Sequence, residues 1–419
     1  MSVKAGQAQP RLVATVLSGR LHREISVVDC GFADRAPVSD DRYDGLRCSG
    51  TVEGTVRTVV ELSGRDMDRR NFLLGSVFTA AAFSEPALFA LTMPPVESTA
   101  RVAGRRIGMP DVEIITEHIA HLRRLDHQYG SGRVHGQIVQ VLHREANTVI
   151  HGTYSEKTGK ALLGVVAELT DLAAGTSVDV GRHSLAQRYY IQALNLAMSA
   201  DDRILAADEL VRMSHLTVLI GQGALSVDSR LRHARQALAL ARAGRTVADG
   251  GATPTLLASL HAVEARGQAL LGDASATRRA MFEAERCYER IRPGGDSPIL
   301  GYAEGQFAAD LGRCLRDIGD VKQSIQQLNR ALESNAPGRV RSRCIIEADL
   351  AAAHFVGGDY EQAASIGRDA VRTASQIKST RTLDWLRTLQ RQIRARSTSS
   401  GHLRELDQRI TSLCTSVDK

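Results

Sequence analysis

The chain has 419 residues, of which 43% are hydrophobic, 24% charged and only 4% aromatic, with a formal charge of +6. A chain of this length and ordinary hydrophobic content buries a large core, which excludes wholesale disorder, and the few aromatics beside abundant Ala, Leu, Arg and Gly exclude an all-β protein. Ten prolines without a low-complexity tract exclude a fibrous protein, and the basic excess is far below that of a histone-like nucleic-acid coat.

The first twenty residues, MSVKAGQAQPRLVATVLSGR, contain no apolar run of a secretory leader. The cysteines Cys30, Cys48, Cys287, Cys314, Cys344 and Cys414 form no CxxC pair, a pattern of reduced thiols that predicts a cytoplasmic protein. Residues 11–22 carry a helical apolar rhythm at Leu12, Val16, Leu17 and Leu21, and a Gly/Pro/Asp-rich loop comes next. Helical spacing resumes over 51–62 at Val52, Val56, Val59 and Val60. Asp66 and Asp68 are expected as N-caps of a further helix carrying RRNFLL (69–74).

The twin Arg69–Arg70 before an apolar run is similar to a twin-arginine export signal. The pair stands far from the N-terminus, however, and Ser84, Glu85 and Pro86 cut the run well short of the roughly 20 residues that span a bilayer, so a packed helical linker and no membrane partner are expected. Pro94 and Pro95 are expected to stop that helix, with residues 96–109 as a connector. From Asp111 the chain reads as nearly continuous helix. One helix runs from an Asp cap to Gly130, a second covers 133–154, and a third covers 157–175.

ADLGRCLRDIGDVKQSIQQLNRALES (309–334) and ADLAAAHFVGGDYEQAASIGRDAVRT (348–373) align without a gap. They share Ala309/Ala348, Asp310/Asp349, Leu311/Leu350, Gly319/Gly358, Asp320/Asp359, Gln323/Gln362 and Ala331/Ala370. Residues 261–289 repeat the plan with Leu271-Gly272-Asp273 at the turn, 180–202 supply a second helix after Gly181, and 207–244 form a middle unit marked by Gly221. Such a Gly-Asp pair ends one helix in the left-handed conformation and caps the next, which makes a helical hairpin. A lone hairpin cannot bury its apolar face, so neighbours are expected to stack.

This pattern resembles the tetratricopeptide repeat over roughly residues 111–396, as about five degenerate hairpins with steps longer than the usual 34 residues. The resemblance implies an all-α solenoid of stacked helical hairpins with a short mixed or helical N-terminal segment. The expected divisions are a residual N-terminal segment 1–65, a helical linker 66–110, the tetratricopeptide-like solenoid 111–396 and a C-terminal capping helix 397–419. Residues 57–73, 185–202, 308–320 and 379–393 are also similar to actinobacterial regulators that join an N-terminal helix-turn-helix to a tetratricopeptide array. Residues 1–65 hold no SQ-x-x-LA string of such a DNA-reading unit and resemble the stretch on its C-terminal side in these regulators. The expectation is a chain that starts just downstream of that unit.

His118 and His121 stand three apart, with His127, His135, His143 and His151 further along, but no HExxH accompanies them, and solvated or half-buried helix histidines without a metal are expected. No GxGxxG, GxSxG or P-loop string is present, and GKA at 159–161 lacks the Ser/Thr of a P-loop. The reading is therefore no enzyme and no cofactor. First-helix positions carried over from tetratricopeptide arrays place Arg266, Arg313 and Arg316 on the concave face, where guanidiniums suit acidic peptides or carboxylates. The predicted function is a regulatory protein- or peptide-binding solenoid in transcriptional control, with docking that shifts the tilt of stacked hairpins. DNA would be reached only indirectly or through a missing N-terminal domain, and pairing with a second copy is left open. The alternative is a direct DNA-binding regulator whose helix-turn-helix is truncated from this chain. Most of the basic excess lies in 376–410, where eight basic residues face Asp384, Glu405 and Asp407 around the lone Trp385, and a polar end-cap of the solenoid is the expected role.

Overall fold

The computed structural model describes residues 45–68, 78–92, 98–224, 226–248, 250–292, 304–396 and 400–417. Gly45–Lys419 forms one compact unit. The expectations for residues 11–22, for RRNFLL and for Pro94 and Pro95 lie outside the described residues. The described protein is all-α: sixteen α-helices, one short 3-10 turn (Ala80–Phe83) and a two-residue parallel strand pair.

Helix α1 (Val52–Met67) begins at Thr51, whose hydroxyl accepts from the Gly54 N–H, and buries Val56, Val59 and Leu62 on one face. It runs one turn further than its apolar rhythm predicts. Asp66 is therefore a buried residue of its last turn and not an N-cap, and Asp68 is the C-cap of α1; the further helix expected from Asp68 lies outside the described residues. The reason is tertiary. The Asp66 carboxylate accepts from Tyr189 at 3.2 Å, meets His135 Nε2 at 3.0 Å and pairs with Arg182 at 2.8 Å, which offsets the cost of burying it.

Ser84, Glu85 and Pro86 do not interrupt a helix; they open one, α2 (Ser84–Thr92), because a proline in the first turn forfeits an N–H that has no partner there. The connector contains β1 (Arg105–Arg106), which pairs in parallel with β2 (Gly152–Thr153). Between them lie α3 (Met109–Tyr129) and α4 (Ser131–His151), hinged at Gly130 with φ +80°. Asp111 reaches back to accept from the Gly108 N–H at 2.8 Å, so the Asp caps from inside the first turn.

Five helical hairpins come next. They are α5 (Glu156–Asp179) with α6 (His183–Ser199), α7 (Arg203–Gln222) with α8 (Val227–Ala248), α9 (Pro254–Leu271) with α10 (Ala274–Tyr288), α11 (Glu304–Asp317) with α12 (Val321–Glu333), and α13 (Val340–Val356) with α14 (Tyr360–Ala374). The repeated Gly-Asp turn works as its local chemistry requires. Gly272, Gly319 and Gly358 adopt φ of +81°, +86° and +83°. The next residues, Asp273, Asp320 and Asp359, accept from the backbone N–H of Ala276, Gln323 and Gln362. The α6–α7 turn builds the same cap with Asp201 at φ +61°, and Asp202 accepts from the Leu205 N–H at 2.8 Å. Gly221 is not a turn residue. It lies in the last turn of α7, where a Cβ would stand 2.8 Å from His233 and Leu270.

The first helices of successive hairpins pack against one another, and α15 (Thr380–Ala395) continues that row against α13. Helix α16 (Gly401–Val417) covers α14 and α15 with Leu403, Leu406 and Ile410. Helix α5 is long and apolar enough to cross a membrane by composition, yet it is enclosed by α4 and α6 and most of it is buried. The row also returns on itself, since α3 packs on α13 and α5 on α15. Three polar ties close it. Arg341 pairs with Asp126 at 2.8 Å and with Asp179 at 3.3 Å, the Ser379 hydroxyl donates to Asp179 at 2.7 Å, and the Gly132 N–H donates to the Lys378 carbonyl.

Candidate functional site

The inner row of helices surrounds two adjoining cavities of about 1050 Å³ and 290 Å³, both bordered by Leu219, Gln222, Arg381 and Trp385. Helical spacing dictates what reaches them. On α11, Asp310, Arg313, Arg316 and Asp317 recur at steps of three and four and share one face.

Arg266, Arg313 and Arg316 all line these cavities, and each meets a carboxylate of its own chain. Asp349 on α13 is the hub. It accepts from Arg313 Nε at 2.6 Å and from Arg316 Nη1 at 2.7 Å, and the Trp385 indole donates to it at 3.3 Å. Burial pushes its carboxyl up, but the two guanidiniums win and hold it below the usual carboxylate range. Arg313 also pairs with Asp310 at 2.9 Å, and Arg316 with Asp317 at 3.1 Å. Arg266 is only 4% exposed and is held loosely, its Nη1 lying 3.5 Å from Asp317 without a hydrogen bond.

Sequence reasoning missed Asp310, Asp349, Arg341 and Arg381 as site residues. Two carried a signal. Asp310 and Asp349 occupy one position of the internal repeat, and a buried acid repeated within reach of arginines marks an ion-pair layer. Arg341 carried none, because its carboxylates reach it through closure of the helix row, and Arg381 carried only its spacing of four from Trp385 on one helix. Arg381 stacks on Trp385, its guanidinium carbon 5.4 Å from the ring centre, and its buried Nε has no hydrogen-bond partner.

No family model matches the chain, and no curated protein matches it.

Burial pushes the Cys314 thiol on α11 up to about 12, so it stays protonated and unreactive at neutral pH. A hydroxyl–imidazole–carboxylate row does exist elsewhere: Thr176 Oγ1 is 2.8 Å from His135 Nδ1, and His135 Nε2 is 3.0 Å from Asp66. The Thr176 hydroxyl, however, donates to the Ala173 carbonyl and is 1% exposed, so the row ties α1 to α4 and α5. His118 and His121 are both exposed on α3. Among the described residues no three His, Cys, Asp or Glu side chains are grouped to hold a metal ion.

Proposed function

We propose that this chain is a tetratricopeptide-like α-solenoid that acts by binding, not turnover, and that it serves transcriptional control in the cytoplasm by taking a protein or peptide segment into its larger cavity. The observation that carries this reading is the cavity of about 1050 Å³ framed by the first helices of successive hairpins. Its wall mixes apolar contacts such as Leu219 and Leu270 with cations such as Arg230 and Arg391, a composition that suits an extended acidic segment. The repeated Gly-Asp turns and the continuous row of first helices support the solenoid assignment.

The test is site-specific photo-crosslinking in cells on the full chain. A crosslinker at Gln392, in the cavity wall, should capture a discrete partner that one at Arg279, exposed on α10, does not. Equal capture at both positions, or none at Gln392, would end the proposal. The alternative is a direct DNA-binding regulator whose helix-turn-helix is truncated from this chain; the basic stretch 376–410 gives it little support, since Arg387, Arg394 and Arg409 there pair with Asp384, Asp407 and Glu405. A gel shift at stated salt separates the two readings, since sequence-selective retention would favour the alternative.

A further inference from the structure

We propose that the smaller cavity is a binding site for a small anionic molecule, one carrying a carboxylate or phosphate group, and that Arg266, Arg339 and Arg381 receive the anion. The proposal goes beyond docking of a protein segment and does not rest on it.

The charge inventory of the cavity points there. Its wall holds six arginines, Arg212, Arg266, Arg313, Arg339, Arg341 and Arg381, against one carboxylate, Asp310. Three of the six are consumed. Arg212 pairs with Asp208 at 3.1 Å, Arg313 with Asp349, and Arg341 with Asp126 and Asp179.

The other three are engaged less fully. Arg266 is 4% exposed, and its Nη1 lies 3.5 Å from Asp317 but makes no hydrogen bond. Arg381 has a buried Nε without a partner, and neither Arg381 nor Arg339 pairs with a carboxylate among the described residues. A guanidinium presents five donors in a rigid fork and cannot shed its proton to escape burial, so the buried unpaired nitrogens of Arg266 and Arg381 in one cavity cost stability, and the half-exposed Arg339 adds a third cation without a carboxylate. Such a cost is what a preformed anion site carries when it is empty.

The remaining wall fits a small polar ligand. Gln306, Asn335 and Ser342 offer neutral hydrogen-bonding groups, and Trp385 offers an apolar side. His127 and His215 also line the cavity. Burial pushes both imidazoles down to about 4, and the surrounding guanidiniums add to it, Arg341 at His127 and Arg212 and Arg266 at His215. Neutral at physiological pH, each can donate one hydrogen bond and accept one. A volume of about 290 Å³ admits a small metabolite and not a folded segment, and Arg381 and Trp385 border the larger cavity as well.

The experiment is calorimetric titration of the full chain with citrate and, separately, inorganic pyrophosphate, with ionic strength held constant by potassium chloride. One probe should bind saturably with one site per chain. Tighter citrate assigns a carboxylate ligand, and tighter pyrophosphate assigns a phosphate ligand. Arg381→Met and Arg339→Met should each weaken that binding at least about ten-fold, the loss of one charge-assisted contact, while Arg404→Met on exposed α16 should leave it unchanged. Arg381→Met alone should also melt no lower than the unsubstituted chain, because it removes a buried Nε without an acceptor while the Met side chain can keep the packing on Trp385. Arg339 precedes α13 and carries the test if the Arg381 variant misfolds. Absence of binding by both probes up to roughly ten millimolar, or equal binding by all three variants, would overturn the proposal.

Discussion

Asp349 shows how much a single side chain organises this protein. It is 2% exposed, holds two guanidiniums from α11 and accepts from Trp385 on α15, so three helices meet at one carboxylate. Asp349→Asn keeps the shape but removes the charge, leaving Arg313 and Arg316 buried without their main partner. We expect a loss of about 3–5 kcal/mol in urea unfolding. Glu168 behaves in the opposite sense. Burial pushes its carboxyl up from 4.5 to about 7; Arg123 opposes the shift, and Asp171, Asp202 and Asp208 reinforce it. A raised carboxyl makes the folded state bind its proton more tightly than the unfolded state does. Its stabilising contribution is full below about pH 4.5 and is lost as pH rises through about 7. Glu168→Gln should therefore stabilise the protein by about 3 kcal/mol at pH 8 and by almost nothing at pH 4, a difference that denaturation at the two pH values measures. An equal effect at both would show that Glu168 titrates normally.

At the scale of elements, the hairpin turns separate backbone conformation from packing. Gly358 has φ +83°, and a Cβ there would meet nothing within 4 Å. Gly358→Ala should cost about 1 kcal/mol from the left-handed conformation alone. Gly367, in the middle of α14, has ordinary helical backbone, but a Cβ would stand 2.5 Å from Leu406 of α16. Gly367→Ala should cost more, about 1–3 kcal/mol, and should loosen α16 as read by hydrogen exchange. Asp201 is the converse case, a non-glycine residue at φ +61°. Asp201→Gly should leave stability unchanged or raise it by up to about 1 kcal/mol in thermal unfolding, since its ion pair with Lys160 is exposed. These turns were legible in the sequence because the signal is local: the Gly and the capping Asp act within four residues. The end of α1 was not, because Asp66 stays helical only through His135, Arg182 and Tyr189, which lie far along the chain.

Across the whole molecule, the decisive feature is that the row of helices closes. Stacked repeats that touch only their neighbours unfold piecewise. Here Arg341 at the start of α13 reaches Asp126 on α3 and Asp179 on α5, and Ser379 reaches Asp179 as well. Arg341→Met should cost about 3–5 kcal/mol and should lower hydrogen-exchange protection in α3 and α13 together, although more than 200 residues separate them. Loss of protection confined to α13 would show that closure carries no energy. Packing of adjacent first helices decides the character of the candidate site, since α11 sets Asp317 against Arg266 of α9 and α13 sets Asp349 against Arg313 and Arg316.

By itself, then, the sequence determined the helical periodicity, the Gly-Asp caps and the hairpin plan, because apolar periodicity and Gly-Asp turns are local properties of the backbone. The repeated Asp310 and Asp349 even marked the helix face that carries the ion pairs. Only the tertiary structure decided which arginines are satisfied and which are not. That depends on how each helix is rotated and on which distant carboxylate closure brings within 4 Å, and neither quantity is encoded in spacing along the chain. Arg313 and Arg381 look alike in sequence, yet one holds two carboxylates and the other stacks on Trp385 with its Nε unpaired.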